Sequence, residues 1–329
     1  MSNINLPLFR FKPTMVIDIT YLCNYSCHYC RWGSNNTEGR VHKSLESILA
    51  SSKDLELIGT QRIVLSGGEP LLHPEINSIV SHYSKIVEEV VLISNGWLAT
   101  EKKLLELKSL GLTGVAFSLD SNVPSILQSN RDMSESQIKR SLTNFEKISK
   151  SRINGKINLE LGVISVITSQ NCSVEAVSEL LNWAQNNGLD YVKLNQIFDD
   201  GYVGKNAPHL LLNEGHASAI EEIEDKIVDF SNFIATNLPH FWNTVAKTLR
   251  GSKLDGGSCG IAGNNAILYH GKYNFCAWME HHNIGMVGGI SKETVSKSES
   301  DFLLESSKCK TGPHCHCLQN FDQNWSFLE

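Results

Sequence analysis

Short β-branched runs alternate with helical patterns across the first 200 residues of this 329-residue chain, and that alternation most constrains its fold. The runs are Met15–Thr20, Arg62–Ser66, Val90–Ser94, Gly114–Leu119, Leu159–Thr168 and Tyr191–Ile197. Between them, Lys43–Ile58 places Leu45, Ile48, Leu49 and Leu55 on one side of a helix. Pro74–Val87 opens with a proline, which suits a first helical turn. Thr100–Leu110 starts on a good N-cap and ends at Gly111, a C-cap signal. Ser134–Ser149 and Ser173–Asn187 complete the series, the second stopping at Gly188. Alternation of this kind means parallel strands joined by crossover helices. Six units fall short of a closed eight-unit barrel, so the expected class is α/β, a partial (βα)6 TIM-like barrel. In such folds function sits in the loops after the C-terminal ends of the strands.

The first of those loops holds the strongest chemical signal. Cys23, Cys27 and Cys30 follow the first strand with C-x3-C-x2-C spacing. Three thiolates on one loop can hold three irons of a [4Fe–4S] cluster and leave the fourth iron without a protein ligand, the position where chemistry happens. A structural zinc would instead want a nearby fourth ligand, which His28 could supply. Nine cysteines in all, an odd and clustered set without an export signal, argue for reduced thiols and metal in a cytoplasmic protein. Cys172 stands alone and reads as a small buried residue. The net charge of −6 comes without a basic tract, which disfavours nucleic acid, and no apolar run approaches membrane-spanning length.

Three further segments end strands in order. Ser66-Gly67-Gly68-Glu69-Pro70 follows the second strand, and its paired glycines let backbone approach a ligand closely. A carboxylate beside such backbone suits an ammonium group. Ser94-Asn95-Gly96 follows the third strand and Ser118-Leu119-Asp120 ends the fourth. Taken together, the cysteine triplet with Tyr29 before its last cysteine and the Gly-Gly-Glu-Pro segment resemble the radical S-adenosylmethionine (radical SAM) superfamily, over about residues 14–200. The resemblance implies a SAM-binding [4Fe–4S] cluster on Cys23, Cys27 and Cys30. Its open iron would chelate the amino and carboxylate groups of SAM, and electron transfer would cleave a C–S bond. The resulting 5′-deoxyadenosyl radical would abstract a hydrogen atom from a substrate carbon. Glu69 and the backbone of Gly67 and Gly68 would hold the methionine amino group. Asn95 and Ser118 would lie beside the ribose and carboxylate. Arg131 or Arg140 could pair with the carboxylate, though a solvated helix position is the commoner home for either. Asn195, at the end of the sixth strand, is another cofactor-binding candidate or a packing residue.

Residues 198–258 break the alternation: Asn213–Arg250 reads mostly helical, interrupted near Pro239. A second cysteine group follows at Cys259, Cys276, Cys309, Cys315 and Cys317. Gly271 to Cys276 has the G-x4-C form and Cys309 to Cys315 a C-x5-C step. These resemble the auxiliary-cluster extensions called SPASM (two clusters) or twitch (one cluster), without SPASM's other cysteines. The resemblance implies one auxiliary [4Fe–4S] cluster on Cys259, Cys276, Cys309 and one of Cys315 or Cys317. The surplus thiol would be a spare ligand, a hydrogen-atom donor or simply buried. The competing account is a zinc knuckle from Cys309, Cys315, Cys317 and His314 or His316. The organisation is then a barrel in residues 1–200, a helical linker in 201–255 and an auxiliary-cluster domain in 256–329.

Substrate-facing residues are harder to read. Asp199 and Asp200 leave the sixth strand, where one could act as a base, with a capping or turn role as the plainer account. Tyr202, His209, Trp278, His281 and His282 are candidates to line the cavity. The expected activity is oxidative or epimerising modification of a sugar-like or aminocyclitol-like small molecule, or of a ribosomally made peptide. A flavodoxin or ferredoxin would donate the electron. With the cysteine loop beginning at residue 23, no leader-binding module is expected before it, which leans toward the small molecule. The non-enzyme alternative is a zinc-stabilised binding protein on the same scaffold.

Overall fold

Six parallel strands carry the fold: β1 (Thr14–Thr20), β2 (Arg62–Gly67), β3 (Glu89–Ser94), β4 (Gly114–Ser118), β5 (Glu160–Ile167) and β6 (Tyr191–Gln196). They lie side by side in chain order, each paired in parallel with the next. β6 does not return to β1, so the barrel is open. The structure, a computed structural model, describes residues 14–30, 41–197, 199, 203–230, 241–252, 265–269, 271–274 and 283–306.

The helices between the strands are α1 (Leu45–Leu49), α2 (Ser52–Ile58), α3 (Ile76–Tyr83), α4 (Glu101–Ser109), α5 (Pro124–Arg131), α6 (Glu135–Ile153) and α7 (Val174–Asn186). Their starts follow local chemistry. Thr100 accepts from the Lys103 amide, Ser173 from Ala176, and Ser134 with Gln137 forms a reciprocal capping box. The single helix expected over Lys43–Ile58 is two. The Ser51 and Ser52 hydroxyls donate to the carbonyls of Ile48 (3.0 Å) and Leu49 (2.6 Å), and such back-bonding competes with the helix ladder. Pro74 does not open α3, which begins at Ile76. Helix α5 was not legible as a helix, because it is short and polar, although Pro124 sits at its first turn.

The core lies between the sheet and the helices. Met15, Ile17 and Ile19 of β1 are buried with Ile63 and Leu65 of β2 and Val90 and Leu92 of β3. Ile48, Leu55, Ile79, Val80, Leu104 and Leu107 cover them from the helices. The alternate residues on β2, Val64 and Ser66, are only half-buried, so the inner face of the open barrel stays partly accessible.

Beyond β6 come α8 (Val203–Asn206), α9 (Ala217–Ile227) and α10 (Phe241–Leu249). Three more strands follow, β7 (Asn265–Tyr269), β8 (Lys272–Asn274) and β9 (Asn283–Met286), then α11 (Lys292–Ser306). β7 pairs in parallel with β1, and β8 and β9 continue antiparallel. The described part of residues 256–329 is therefore joined to the barrel sheet rather than set apart from it. Among the described residues no helix is long and apolar enough to cross a membrane.

One buried carboxylate pins this extension. Asp54 on α2 accepts from the Tyr273 hydroxyl (2.8 Å) and the Gly288 amide (2.7 Å). Asp54→Ala would leave both donors without an acceptor. It should lower unfolding free energy by about 1–3 kcal/mol, measured by urea denaturation, and expose the β8–β9 segment to protease first.

Candidate functional site

The cysteine loop leaves the C-terminal end of β1, as parallel-barrel geometry requires of a functional loop. Its base is closed by the segment at 41–43. Tyr21 donates to the Val41 carbonyl (3.0 Å), Lys43 to Ile19 (3.1 Å), and the Thr20 hydroxyl meets His42 Nδ1 at 2.9 Å. Inside the loop, the Cys30 amide donates to the Cys27 carbonyl (3.1 Å) and the Tyr25 amide to Cys23 Sγ (3.4 Å). Cys27 is buried, while Cys23 and Cys30 are half-buried. Burial pushes the Cys23 thiol up to about 11 and the Cys27 thiol upward as well. In the metal-free protein both thiols are neutral at pH 7, and ligation must displace their protons.

The glycine pair approaches this loop. Gly68 donates to the Thr20 carbonyl (2.8 Å) and Glu69 to the Leu22 carbonyl (2.7 Å). A Cβ on Gly67 would lie 2.2 Å from the Thr20 oxygen, and one on Gly68 2.1 Å from the Leu22 oxygen. Gly67 also has φ +116°, in the left-handed region. The glycines thus let the β2 turn dock on the backbone that carries the thiols.

Glu69 is fully buried, and its carboxylate accepts from three protein donors. Oε2 accepts from the Asn95 amide (2.8 Å), and Oε1 from the Ser94 hydroxyl (3.0 Å) and the Leu71 amide (3.1 Å). It caps the Pro70–Leu72 turn and ties it to the end of β3. Burial raises its pKa to about 7 against these bonds.

The Asn95 side chain also turns toward the cysteine loop, donating to Asn24 Oδ1 (2.8 Å) and lying 3.8 Å from Cys23 Sγ. Helix α6 backs this corner. Ser141 bonds the Tyr25 hydroxyl (2.6 Å), and Asn144 donates to the carbonyls of Gly96 and Trp97 (3.0 Å each). Ser118 is half-buried at the end of β4, its hydroxyl without a partner among the described residues. Asn195 lies half-buried on β6.

The two arginine candidates part company. Arg140 is exposed, donating to the Trp97 carbonyl (3.2 Å) with its guanidinium 4.3 Å from the indole centroid, a solvated helix position as expected. Arg131 corrects that expectation. It is 5 % exposed and forks onto Asp120, with Nε to Oδ2 at 2.9 Å and Nη2 to Oδ1 at 2.6 Å. Asp120 also accepts from the Tyr29 hydroxyl (2.7 Å) and the Val166 amide (3.0 Å). Sequence reasoning took Asp120 only as a strand end. A signal was present, since an acid closing a parallel strand faces the functional end of the barrel.

Cys172 is buried in the core, as expected. Asp199 accepts from the Gly204 amide (2.8 Å), the turn role foreseen for it. His209 stands edge-on to His28, ring centroids 6.1 Å apart. Asp200, Tyr202, Trp278, His281, His282 and the ligand candidates Cys259, Cys276, Cys309, Cys315 and Cys317 lie outside the described residues. His314 and His316 do as well. Among the described residues no three His, Cys, Asp or Glu side chains converge on one point. A cluster with several irons and sulfides asks for something else: thiols on separate corners and donors for its sulfides. The three-thiol loop supplies the first. Asn24 Nδ2, buried without a hydrogen-bond partner among the described residues, is a donor of the second kind. The residues present fit a [4Fe–4S] group.

Two outcomes follow for this corner. Gly68→Ala should destabilise the fold by about 1–3 kcal/mol in chemical denaturation and reduce iron uptake, because the methyl meets fixed backbone. Glu69 holds its proton more tightly when folded, about 7 against an ordinary 4.5. Its contribution is thus greatest below pH 4.5 and is lost as pH rises through 7. Guanidinium unfolding of Glu69→Gln at pH 5 and pH 7.5 should show a smaller fall in stability than wild type.

Comparison with known proteins agrees with this geometry. Residues 17–171 match the Radical SAM superfamily. A GTP 3′,8-cyclase of Syntrophomonas wolfei is 35% identical over 114 residues, 33% of this chain and 35% of that protein. A GTP 3′,8-cyclase of Clostridium perfringens is 29% identical over 181 residues, 53% of this chain and 52% of that protein. The chain therefore spans about a third to a half of the length of these relatives. In fold it is similar to anSMEcpe with bound AdoMet, at TM-score 0.63, 17% identity and coverage of 95% and 92% of the two chains. Streptococcus suis SuiB bound to S-adenosylmethionine gives TM-score 0.60, 14% identity and coverage of 82% and 61%. The superfamily match runs from β1 to the loop after β5, and the fold likeness extends over nearly the whole chain.

Proposed function

We propose that the protein is a radical SAM enzyme that modifies a natural-product small molecule or a ribosomally made peptide by an oxidative or epimerising reaction. The carrying observation is the backbone docking of the Gly67–Glu69 turn onto Thr20–Leu22, which puts three thiols and a sheltered ligand edge at one end of the barrel. When bound, a [4Fe–4S] cluster and SAM supply reductive C–S cleavage and a 5′-deoxyadenosyl radical for hydrogen-atom abstraction.

The residues of this chain divide the remaining work. Cys23, Cys27 and Cys30 hold the cluster, and Asn24 offers a hydrogen bond beside it. Carbonyls of the Gly67–Gly68 edge accept from an ammonium. Ser118, whose hydroxyl has no partner among the described residues, takes a ribose or carboxylate oxygen, and Asn195 on β6 is a further cofactor-binding candidate. Glu69, held by donors from the end of β3 and from its own turn, keeps this edge in place. Cys259, Cys276, Cys309 and either Cys315 or Cys317 hold an auxiliary cluster that accepts the substrate electron. A flavodoxin or ferredoxin reduces the first cluster.

Two fold neighbours support a peptide substrate: SuiB bound to precursor peptide SuiA, and anSMEcpe with bound AdoMet and a Kp18Cys peptide. The name of the sequence relatives favours a second reading, with GTP as substrate. Calorimetric titration of GTP into the reconstituted protein separates the two.

The test of the main reading is iron and sulfide per chain on anaerobic protein, beside the Cys23→Ala/Cys27→Ala/Cys30→Ala variant, with 5′-deoxyadenosine followed after SAM and dithionite. About eight irons in wild type, about four in the variant, and deoxyadenosine from wild type alone are expected. About four irons falling to none, with zinc retained, replaces the auxiliary cluster by structural zinc. No iron and no deoxyadenosine in reconstituted wild type leaves a zinc-stabilised binding protein.

A further inference from the structure

The Asp120 carboxylate is 1 % exposed, and its four acceptor positions are all taken by protein. Oδ1 receives Arg131 Nη2 and the Val166 amide, and Oδ2 receives Arg131 Nε and the Tyr29 hydroxyl. Its main-chain carbonyl accepts from Ser165 (3.2 Å) and from Asn171 (3.0 Å). One residue thereby joins the end of β4 to β5, to the loop after β5, to α5 and to the cysteine loop. No lone pair is left for a ribose hydroxyl.

Tyr29 sits between Cys27 and Cys30, so holding its hydroxyl fixes the turn that presents both thiols. The guanidinium lies 5.6 Å from the centroid of the Tyr29 ring. Burial pushes the Cys27 thiol up, and the Arg131 charge works against that rise. The Asp120 fork fixes Arg131 in this place, which removes it from the free cations that could swing to a SAM carboxylate. A buried pair of this kind is poor evidence for stability, since burying both charges offsets most of their attraction. Its placement against Tyr29, between two of the cysteines, calls for another account.

We infer that Asp120 and Arg131 are positioning residues that set the reduction potential of the cluster carried by Cys23, Cys27 and Cys30. This rests on the proposed cluster at that loop. Reduction adds one electron to a group already anionic with three thiolates. A cation locked beside the turn between Cys27 and Cys30 favours the reduced state, and the nearby carboxylate tempers that effect. The two members therefore push the potential in opposite directions.

The experiment uses the full chain, purified anaerobically and reconstituted. Iron and sulfide are counted first. A dithionite titration of the one-electron couple is then followed by electron paramagnetic resonance without added SAM, and the Cys23→Ala/Cys27→Ala/Cys30→Ala protein identifies which signal belongs to the triplet. At wild-type iron content, Arg131→Gln should titrate at a more negative midpoint and Asp120→Asn at a more positive one. Arg131→Lys, which keeps the charge, should return toward wild type. Loosening of the loop alone would move both neutralised variants the same way, and that result overturns the proposal. Midpoints equal to wild type in both variants also overturn it. Should Arg131→Gln fail to fold, the near-isosteric Asp120→Asn decides: a midpoint at or below wild type refutes the inference. Wild type without iron refutes the underlying cluster reading instead, a result distinct from these.

Discussion

Backbone contact between the β2 turn and the end of β1 is the constraint on which the site depends. Gly68 and Glu69 donate to Thr20 and Leu22 at 2.8 and 2.7 Å, and no side chain fits between the two segments. The parallel pairing of β1 with β2 shifts register between Asp18 and Thr20, so Thr20 meets Gly67 only through that irregularity. The shift turns the chain out of the sheet at the point where the cysteine loop begins. The loop's geometry is thus inherited from the barrel sheet.

Two buried acids extend that constraint around the barrel. Glu69 links the loop after β2 to the end of β3, and Asp120 links β4 to β5, α5 and the cysteine loop. Asp120 accepts from protein donors at all four carboxylate positions and Glu69 at three, so both work as joints. Acids at the ends of parallel strands are readily taken for ligands of a substrate or cofactor. Here the hydrogen-bond partners assign them to preorganisation, which is what a site handling a reactive intermediate needs.

The C-terminal strands give the barrel a second kind of closure. β7 covers the edge of β1 that an open barrel leaves unpaired, and Asp54 ties the following hairpin to α2. The segment that ends in the second cysteine group is therefore attached through the same strand that feeds the first.

The sequence by itself determined the βα alternation, the ends of six strands to within two residues, and the three thiols of the first loop. These rest on local chemistry: β-branched runs, hydroxyl caps at Thr100, Ser134 and Ser173, and fixed cysteine spacing. It also placed Gly67, Gly68, Glu69, Asn95 and Ser118 at one end of the barrel, because each follows or ends a parallel strand. Tertiary structure decided what those residues touch. The glycines meet backbone 47 residues upstream, between Gly67 and Thr20, and Arg131 meets a carboxylate it was not expected to find. Tyr273 reaches Asp54 across most of the chain. Such contacts depend on how strands are ordered and on which side chains burial forces to pair. That information belongs to the packed sheet and has no local signature in the chain.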